Sequence, residues 1–173
     1  MSQPIKEYEQ LVFSSTVGDL LITACRAGIV EVSLPGCSSR YKSEDRFSGD
    51  LRIKGLLERA AAQIDAYLRG INCHLDLPLV LRGTPFQLAV WRQITVIPYG
   101  ETCSYGEIAR RLGGVGKARA VGNAAGANPV PLFIPCHRVV GAQGRLGGFS
   151  AELSLKQYLL AMEKNTKLNY EKG

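Results

Sequence analysis

A cysteine stands between a proline and a histidine in the segment Pro135-Cys136-His137-Arg138, which closes an apolar run. Most lone cysteines are buried structural residues, so the cysteine by itself predicts no chemistry. Its neighbours make it unusual, because an imidazole can remove the thiol proton and positive charge favours the thiolate. The segment therefore indicates Cys136 as a candidate nucleophile.

His137 is the candidate base for this nucleophile. Neighbouring side chains of an extended chain point to opposite faces, so a relay through water is as well supported as a direct contact with the sulfur. A base of this kind needs a carboxylate that orients it and stabilises its charged form. The candidates downstream are Glu152, Glu163 and Glu171. Glu163 follows a helix start at Ser154, and that helix could bring it back over the site.

Three short helices are predicted upstream of the cysteine. The first has Thr84 as its N-cap and ends before Pro98, and the second opens with a capping box of Ser104 and Glu107. The third follows a glycine-rich turn and runs from about Ala118 to Ala127. Two short helices joined by such a turn have the outline of a helix-turn-helix. Many αα-hairpins that do not bind DNA have the same outline.

The third helix carries almost no side-chain bulk. Its small residues are Ala118, Ala120, Gly122, Ala124, Ala125, Gly126 and Ala127. Such residues permit either tight packing against another helix or docking in a narrow DNA groove. Only Arg119 and Asn123 could contact base edges, so we expect binding that does not depend on base sequence, with Arg119 reaching into the base stack.

The first half of the chain has patterns of its own. Short apolar runs at Leu11–Ser14, Leu20–Cys25 and Ile29–Leu34 predict an antiparallel meander. Helical spacing from Ile53 to Leu68 predicts a one-faced helix, and alternation from Ile71 to Leu81 predicts a half-buried strand, with Pro78 at a sheet edge. The character of the sequence changes at Arg82-Gly83. We therefore expect two domains, residues 1–83 and 84–173.

Composition narrows the class of protein. The 173 residues are 46% hydrophobic and 21% charged, as expected for packed domains, and the formal charge of +6 favours polyanions such as nucleic acid. Five cysteines without a C-x-x-C pair suit a reducing compartment and predict no disulfide framework, metal site or other cofactor. The N-terminus is polar, and no run approaches the roughly 18 apolar residues that span a bilayer. We expect a cytoplasmic protein that does not bind membranes.

The motifs taken together resemble those of the O6-alkylguanine-DNA alkyltransferase family. They are P-C-H-R-V-V, the preceding N-P-V-P, the upstream S-Y-G-E-I-A and K-A-R-A-V-G, and the following G-G-F-S, in the same order and spacing from about Thr84 to Glu163. The resemblance implies an α/β protein. A small ribonuclease-H-like N-terminal domain would precede a mostly helical, winged-helix-like domain with a helix-turn-helix.

The same resemblance implies DNA repair by direct reversal of damage. A methylated-DNA–protein-cysteine S-methyltransferase moves the alkyl group of O6-alkylguanine irreversibly onto its own cysteine, in a single turnover and without a cofactor. The implied partner is double-stranded DNA that carries the lesion, bound through the minor groove by a monomer. Whether O4-alkylthymine is also a substrate stays open.

Residue roles follow from the resemblance position by position. Cys136 is the alkyl acceptor, and His137, a water molecule and Glu163 form the relay that activates it. Tyr105 matches the tyrosine that helps to rotate the nucleotide and donates a proton toward guanine N3, and Arg119 matches the finger that fills the vacated stack. A base inside the duplex shields O6, so these two tasks are also required on physical grounds.

The remaining assignments concern the DNA surface and the pocket. Asn128 matches the hinge asparagine between the recognition helix and the active-site strand, and Lys156 matches a lysine that bonds near the nucleophile. The predicted DNA-contacting residues are Arg119, Ala120, Gly122 and Asn123. The predicted pocket and its supports are Asn128, Pro135, Val139, Phe149, Ser150 and Lys156.

Two departures from the family pattern affect the pocket. Phe149 stands where many members have tyrosine, and Ala-Glu-Leu follows Ser150 where a glycine pair is common. Three other functions stay open on the residues alone: an alkyltransferase-like protein that binds lesions without repairing them, a thiol hydrolase or peptidase, and a DNA-binding regulator with an inert cysteine. The first of these lacks the cysteine that this chain has.

Overall fold

The structure, a computed structural model, describes residues 7–41, 49–71, 74–114, 116–146 and 153–170. The chain divides into two compact units, Met1–Leu81 and Arg82–Gly173. Helices and small sheets occur together in the described residues, which confirms the mixed α/β content predicted from the sequence. None of the helices in the described ranges has the length and apolar character needed to cross a membrane.

The first unit is built on an antiparallel sheet in the order β1 (Glu9–Ser15), β2 (Gly18–Cys25) and β3 (Gly28–Ser33). The predicted meander is confirmed. Gly28 has a φ of +155°, and a Cβ there would lie 2.4 Å from the carbonyl oxygen of Pro78, so only glycine fits this close approach.

The helix of the first unit, α1 (Leu51–Leu68), begins at Asp50, whose side chain accepts from the N–H of Arg52. It ends before Gly70, where φ is +69°. The helix packs on β1 and β2 through one face. That face consists of Ile53, Leu57, Ala60, Ile64, Tyr67 and Leu68. The helix predicted from spacing is therefore confirmed.

The strand predicted over Ile71–Leu81 is wrong for the described residues 71 and 74–81. They contribute a parallel bridge between Ile29 and Leu79, in which Ile29 donates to Pro78 and Val80 donates to Ile29, both at 2.8 Å. Pro78 has no N–H, so the pairing with β3 cannot extend on the N-terminal side of this bridge. The alternating side chains record a segment with a buried side, not a strand.

The second unit contains four helices among its described residues: α2 (Pro85–Thr95), α3 (Tyr105–Arg111), α4 (Ala118–Gly126) and α5 (Leu153–Tyr170). Both predicted capping boxes, Thr84 with Gln87 and Ser104 with Glu107, are present. Trp91 of α2 is buried, and its indole N–H donates to the carbonyl of Ala124 at 2.8 Å, which ties α4 to the core.

A small parallel sheet brings distant parts of the second unit together. In it β4 (Cys103–Ser104) pairs with β5 (Val139–Val140), with Cys103 opposite Val139 and Ser104 opposite Val140. A single 3-10 turn, Cys136–Arg138, leads into β5, and α3 begins directly after β4. The start of α3 is therefore held beside the Pro-Cys-His-Arg segment.

Candidate active site

Cys136 lies at the start of the 3-10 turn, within a buried stretch that runs from Asn128 to Val140. A tight turn in that stretch places Leu132, a buried non-glycine residue, at a φ of 74°. The thiol is 3% exposed, and burial raises its pKa above the ordinary value. The resting group is therefore a neutral thiol, in contrast to the thiolate expected from its basic neighbours.

Asn128 lies just after α4 and makes three hydrogen bonds to later residues of this stretch. Its amide nitrogen donates to the carbonyl of Ile134 at 2.8 Å, and its amide oxygen accepts from the N–H of Val130 at 3.0 Å. It also bonds the thiol of Cys136, which lowers the pKa of that thiol against the effect of burial. The residue predicted as a hinge thus contacts the segment on which the nucleophile lies.

His137 is fully buried and pairs with Glu163 of α5, with 2.7 Å between Nε2 and Oε1. Burial lowers the pKa of His137 more than the carboxylate raises it, so the imidazole is neutral near pH 7. A neutral imidazole can accept a proton. Since Nε2 contacts Glu163, Nδ1 is the nitrogen that can act toward the thiol.

Glu163 accepts hydrogen bonds from the turn that contains His137 and from the loop before β4. Besides His137, it is bonded by the guanidinium of Arg138 and by the N–H of Gly100, which lies 2.8 Å from Oε2. Burial acts to raise the pKa of Glu163, but its interactions with His137 and Arg138 outweigh that effect and bring the pKa to about 2. The carboxyl group is ionised throughout the physiological range.

Arg138 is the residue whose role the sequence did not reveal. Its basic charge was expected to favour a thiolate, but its guanidinium bonds Glu163 instead, through Nε at 3.0 and 3.1 Å and through a terminal nitrogen at 3.0 Å. The other terminal nitrogen donates to the carbonyl of Ile97 at 2.7 Å. Its place directly after His137 was the signal available, since a turn can bring both side chains to one carboxylate.

Tyr105 and Lys156 form a second group of polar side chains near the thiol of Cys136. The ammonium of Lys156 is completely buried and donates to Val139 at 2.7 Å, with the Tyr105 hydroxyl 3.4 Å away. Burial, with a smaller effect of Cys136, raises the pKa of Tyr105 to about 12, so the phenol is protonated. Burial lowers the pKa of Lys156, while Cys136 acts to raise it.

The small-residue helix α4 presents one exposed side. Val121, Ala124 and Ala125 are buried, whereas Arg119, Ala120 and Asn123 are exposed and Gly122 is half-buried. A Cβ on Gly122 would lie 3.8 Å from the ring of Tyr105, so the helix passes close to that ring. The four residues predicted to contact DNA thus lie on one accessible surface.

Several sequence-derived candidates cannot be placed. Phe149, Ser150, Glu152 and Glu171 lie outside the described residues, as does Cys73. Pro135 is buried, and its carbonyl accepts from the N–H of Arg138 at 2.9 Å. Within the described ranges no cluster of His, Cys, Asp and Glu could hold a metal ion.

This arrangement can generate a nucleophile and supply protons. The neutral imidazole of His137 is bonded to the ionised carboxylate of Glu163 and belongs to the residue next to the buried thiol of Cys136. The protonated phenol of Tyr105 and the ammonium of Lys156 lie near the same thiol. Such a set suits a displacement in which sulfur attacks and a leaving group gains a proton.

Comparison with known proteins identifies the family. The model of the 6-O-methylguanine DNA methyltransferase DNA-binding domain matches residues 85–165. The methylated-DNA–protein-cysteine methyltransferase of Mycobacterium leprae is 47% identical over 154 residues, which are 89% of this chain and 91% of that protein. The chain belongs to this methyltransferase family. The family recognised from the sequence motifs is thus confirmed.

Other methylated-DNA–protein-cysteine methyltransferases agree. That of Methanosarcina acetivorans is 36% identical over 88% of this chain and 96% of its own length. The enzyme of Mycolicibacterium paratuberculosis is 52% identical, over 61% of this chain and 64% of that protein. The crystal structure of Mycobacterium tuberculosis OGT in complex with DNA matches with a TM-score of 0.80 and 38% identity, covering 92% of this chain and 94% of that one. The methyltransferase fold extends over both units.

Proposed function

We propose that the protein repairs DNA by transferring the alkyl group of O6-alkylguanine irreversibly onto Cys136. Direct reversal of alkylation damage by transfer to a cysteine is the activity of the family to which the chain belongs. The observation that supports it most is the buried pair formed by His137, the residue next to the thiol, and Glu163 of α5. A protein that bound lesions without repairing them would need no nucleophile at position 136, where this chain has a cysteine.

The transfer is a displacement at the alkyl carbon. The sulfur–carbon bond forms as the carbon–O6 bond breaks, and the bonding electrons leave with the guanine. The thiol proton passes to Nδ1 of His137, directly or through water, and the departing guanine anion takes a proton from Tyr105. The imidazolium of His137 replaces that proton through solvent, so the proton lost by the thiol ends on the guanine and charge and atoms balance. The product is a thioether, which is a very poor leaving group, and each protein molecule therefore acts once.

The raised pKa of Cys136 suits this reaction. A permanently exposed thiolate would react with any electrophile, whereas a buried thiol is activated only when His137 takes its proton. The imidazolium that forms is stabilised by Glu163, whose pKa of about 2 keeps it ionised.

Tyr105 is proposed to meet the charge that develops on the leaving guanine. Its protonated phenol donates toward N3, and Lys156 at 3.4 Å stabilises the oxygen as the proton moves. Tyr105 would also help to rotate the nucleotide out of the stack, since it lies at the first position of α3 beside α4.

The exposed side of α4 is the proposed DNA surface. Ala120 and Gly122 allow close approach to the minor groove, Arg119 fills the stack after the base leaves, and Asn123 contacts the groove. In this assignment residues 84–173 form the winged-helix-like alkyltransferase domain and residues 1–83 the ribonuclease-H-like domain. The protein would act as a monomer in the cytoplasm, associated with the nucleoid if its source is prokaryotic. Asn128, Pro135, Val139 and Lys156 would line or support the pocket.

A repair assay tests the proposal. The protein is incubated with duplex DNA that carries one O6-methylguanine, and the lesion left in the DNA is measured against the amount of protein added. We expect guanine to be restored in a ratio of one lesion to one protein. Many lesions repaired per protein would contradict transfer to the protein itself, and binding without repair would favour a lesion-recognition protein. Turnover of peptides or esters would instead identify a thiol hydrolase.

A further inference from the structure

Arg138 is a buried cation that the proposed transfer does not use directly. Arg138 is 7% exposed, and its guanidinium makes three contacts of 3.0 to 3.1 Å with the two oxygens of Glu163. The carbonyl of Ile97 and the ring of Tyr99, 5.5 Å from the guanidinium carbon, hold it from other sides. The side chain is therefore fixed on the carboxylate in a bidentate arrangement.

Glu163 depends on this partner. The carboxylate is 0% exposed, and it also contacts the ring of His137 and the N–H of Gly100. A carboxyl group buried without a cation takes up a proton, because desolvation penalises its charged form. Arg138 supplies the full positive charge that the neutral imidazole and the amide lack.

On the basis of the proposed function, we propose that Arg138 is a positioning residue of the relay. By holding Glu163 ionised and fixed, it keeps the neutral imidazole of His137 in the tautomer that carries its hydrogen on Nε2 and its lone pair on Nδ1.

The tautomer follows from the inventory of donors and acceptors. An ionised carboxylate can only accept, so the 2.7 Å contact with Glu163 requires a hydrogen on Nε2. The lone pair of the neutral ring is then on Nδ1, where it can take the thiol proton. A protonated Glu163 could donate to Nε2 instead, and the hydrogen of the ring would move to Nδ1. The imidazole would no longer be a base toward Cys136.

The charges around His137 fit this role. Burial is the largest influence on the pKa of His137 and lowers it. Among the charged groups, Glu163 raises this pKa, whereas Arg138 and Lys156 lower it. Arg138 thus has two effects: it keeps the carboxylate ionised and it keeps the resting imidazole neutral. Both are needed for a base that is ready at neutral pH.

Substitutions at Arg138 test the inference through the pH profile. Single-turnover methyl transfer from an O6-methylguanine duplex is measured between about pH 5 and 8 for wild type, Arg138→Gln and Arg138→Lys. We expect the rate of Arg138→Gln, divided by that of wild type, to fall by about tenfold or more from the alkaline to the acid end, the equivalent of at least one pKa unit. Arg138→Lys retains the charge and should keep a flat ratio.

A Glu163→Gln background separates the relay from simple packing. There the carboxyl group is gone, so Arg138→Gln should add no acid sensitivity. A flat ratio for Arg138→Gln in the wild-type background, or an equal pH effect in both backgrounds, would overturn the inference. A wild-type protein that transfers no methyl group at any pH would instead overturn the proposed function.

The tautomer can also be read without any substitution at Arg138, which decides the matter should the variants not fold. The chain has two histidines, and the exposed His74 can be removed as His74→Gln to assign the spectrum. Nitrogen-15 shifts of His137 should report hydrogen on Nε2 at neutral pH, with protonation only at a pH below the ordinary pKa of histidine. A population with hydrogen on Nδ1, or titration near the ordinary pKa, would contradict the role given to Arg138.

Discussion

Replacing Glu163 with glutamine should destabilise the protein strongly at neutral pH. The substitution removes the negative charge from a site that is 0% exposed and leaves Arg138 buried without a counter-charge. Breaking a buried ion pair in this way costs about 3–5 kcal/mol. The lowered pKa of Glu163 leads to a similar stabilisation. It is about 2 against an ordinary 4.5, and at about 1.36 kcal/mol per pKa unit this difference contributes about 3 kcal/mol to folding.

The difference in free energy of unfolding between wild type and Glu163→Gln depends on pH. Because the pKa of Glu163 is lowered by folding, its contribution is complete above about pH 5 and is lost as the pH falls through about 4.5 toward about 2. Glu163→Gln lacks this contribution at every pH. The free energies of unfolding of wild type and variant should therefore differ most at neutral pH and converge in acid.

Urea denaturation between neutral pH and about pH 3 measures this difference. The chain has a single tryptophan, Trp91, which is buried in the second unit, so its fluorescence reports on the unit that contains Glu163. The matched control is Glu101→Gln, which removes a half-exposed carboxylate paired with Lys167 and should change stability by no more than about 1 kcal/mol. Equal, pH-independent losses for both variants would refute the reasoning.

Three further predictions concern the reaction. Arg119→Ala should slow repair of duplex DNA more than transfer from the free modified base. The control Arg110→Ala, at an exposed arginine of α3, should weaken only salt-dependent DNA binding. Equal effects of Arg119→Ala on both substrates would refute the finger role. Tyr105→Phe should lower the single-turnover rate by about 10²-fold with DNA affinity nearly unchanged, and an unaltered rate would exclude proton donation. Because burial raises the pKa of Cys136, iodoacetamide should modify it slowly at neutral pH in the absence of DNA and faster as the pH rises, and rapid modification at neutral pH would show a resting thiolate.

Local signals predicted most of the fold. The capping boxes at Thr84 and Ser104, the spacing of α1 and the turns of the meander each specify an element through neighbouring residues, and the structure contains all of them. The strand over Ile71–Leu81 failed because alternation reports which side of a segment is buried, not whether its backbone finds a partner. The described residues form one bridge here, and Pro78 blocks its extension on the N-terminal side.

The candidate site was predictable in its members but not in its connections. Types and spacing singled out Cys136 and His137, and the family resemblance supplied Glu163 from a helix 26 residues downstream. The direction of Arg138 was not predictable, because a 3-10 turn determines which side chains converge and nothing in the motif specifies that turn. Nor could the thiol's raised pKa be foreseen, since it depends on burial by the whole unit.

The central claim is that Cys136, and no other residue, receives the alkyl group. After reaction with an excess of duplex DNA carrying O6-methylguanine, the protein is digested and its peptides are analysed by mass spectrometry, with Cys136→Ser treated in parallel. We predict one methyl group per wild-type molecule, located on the peptide that contains Cys136, and none on the variant, which should still bind the lesion. Methylation of Cys25, Cys37, Cys73 or Cys103, or of the Cys136→Ser protein, would contradict the account.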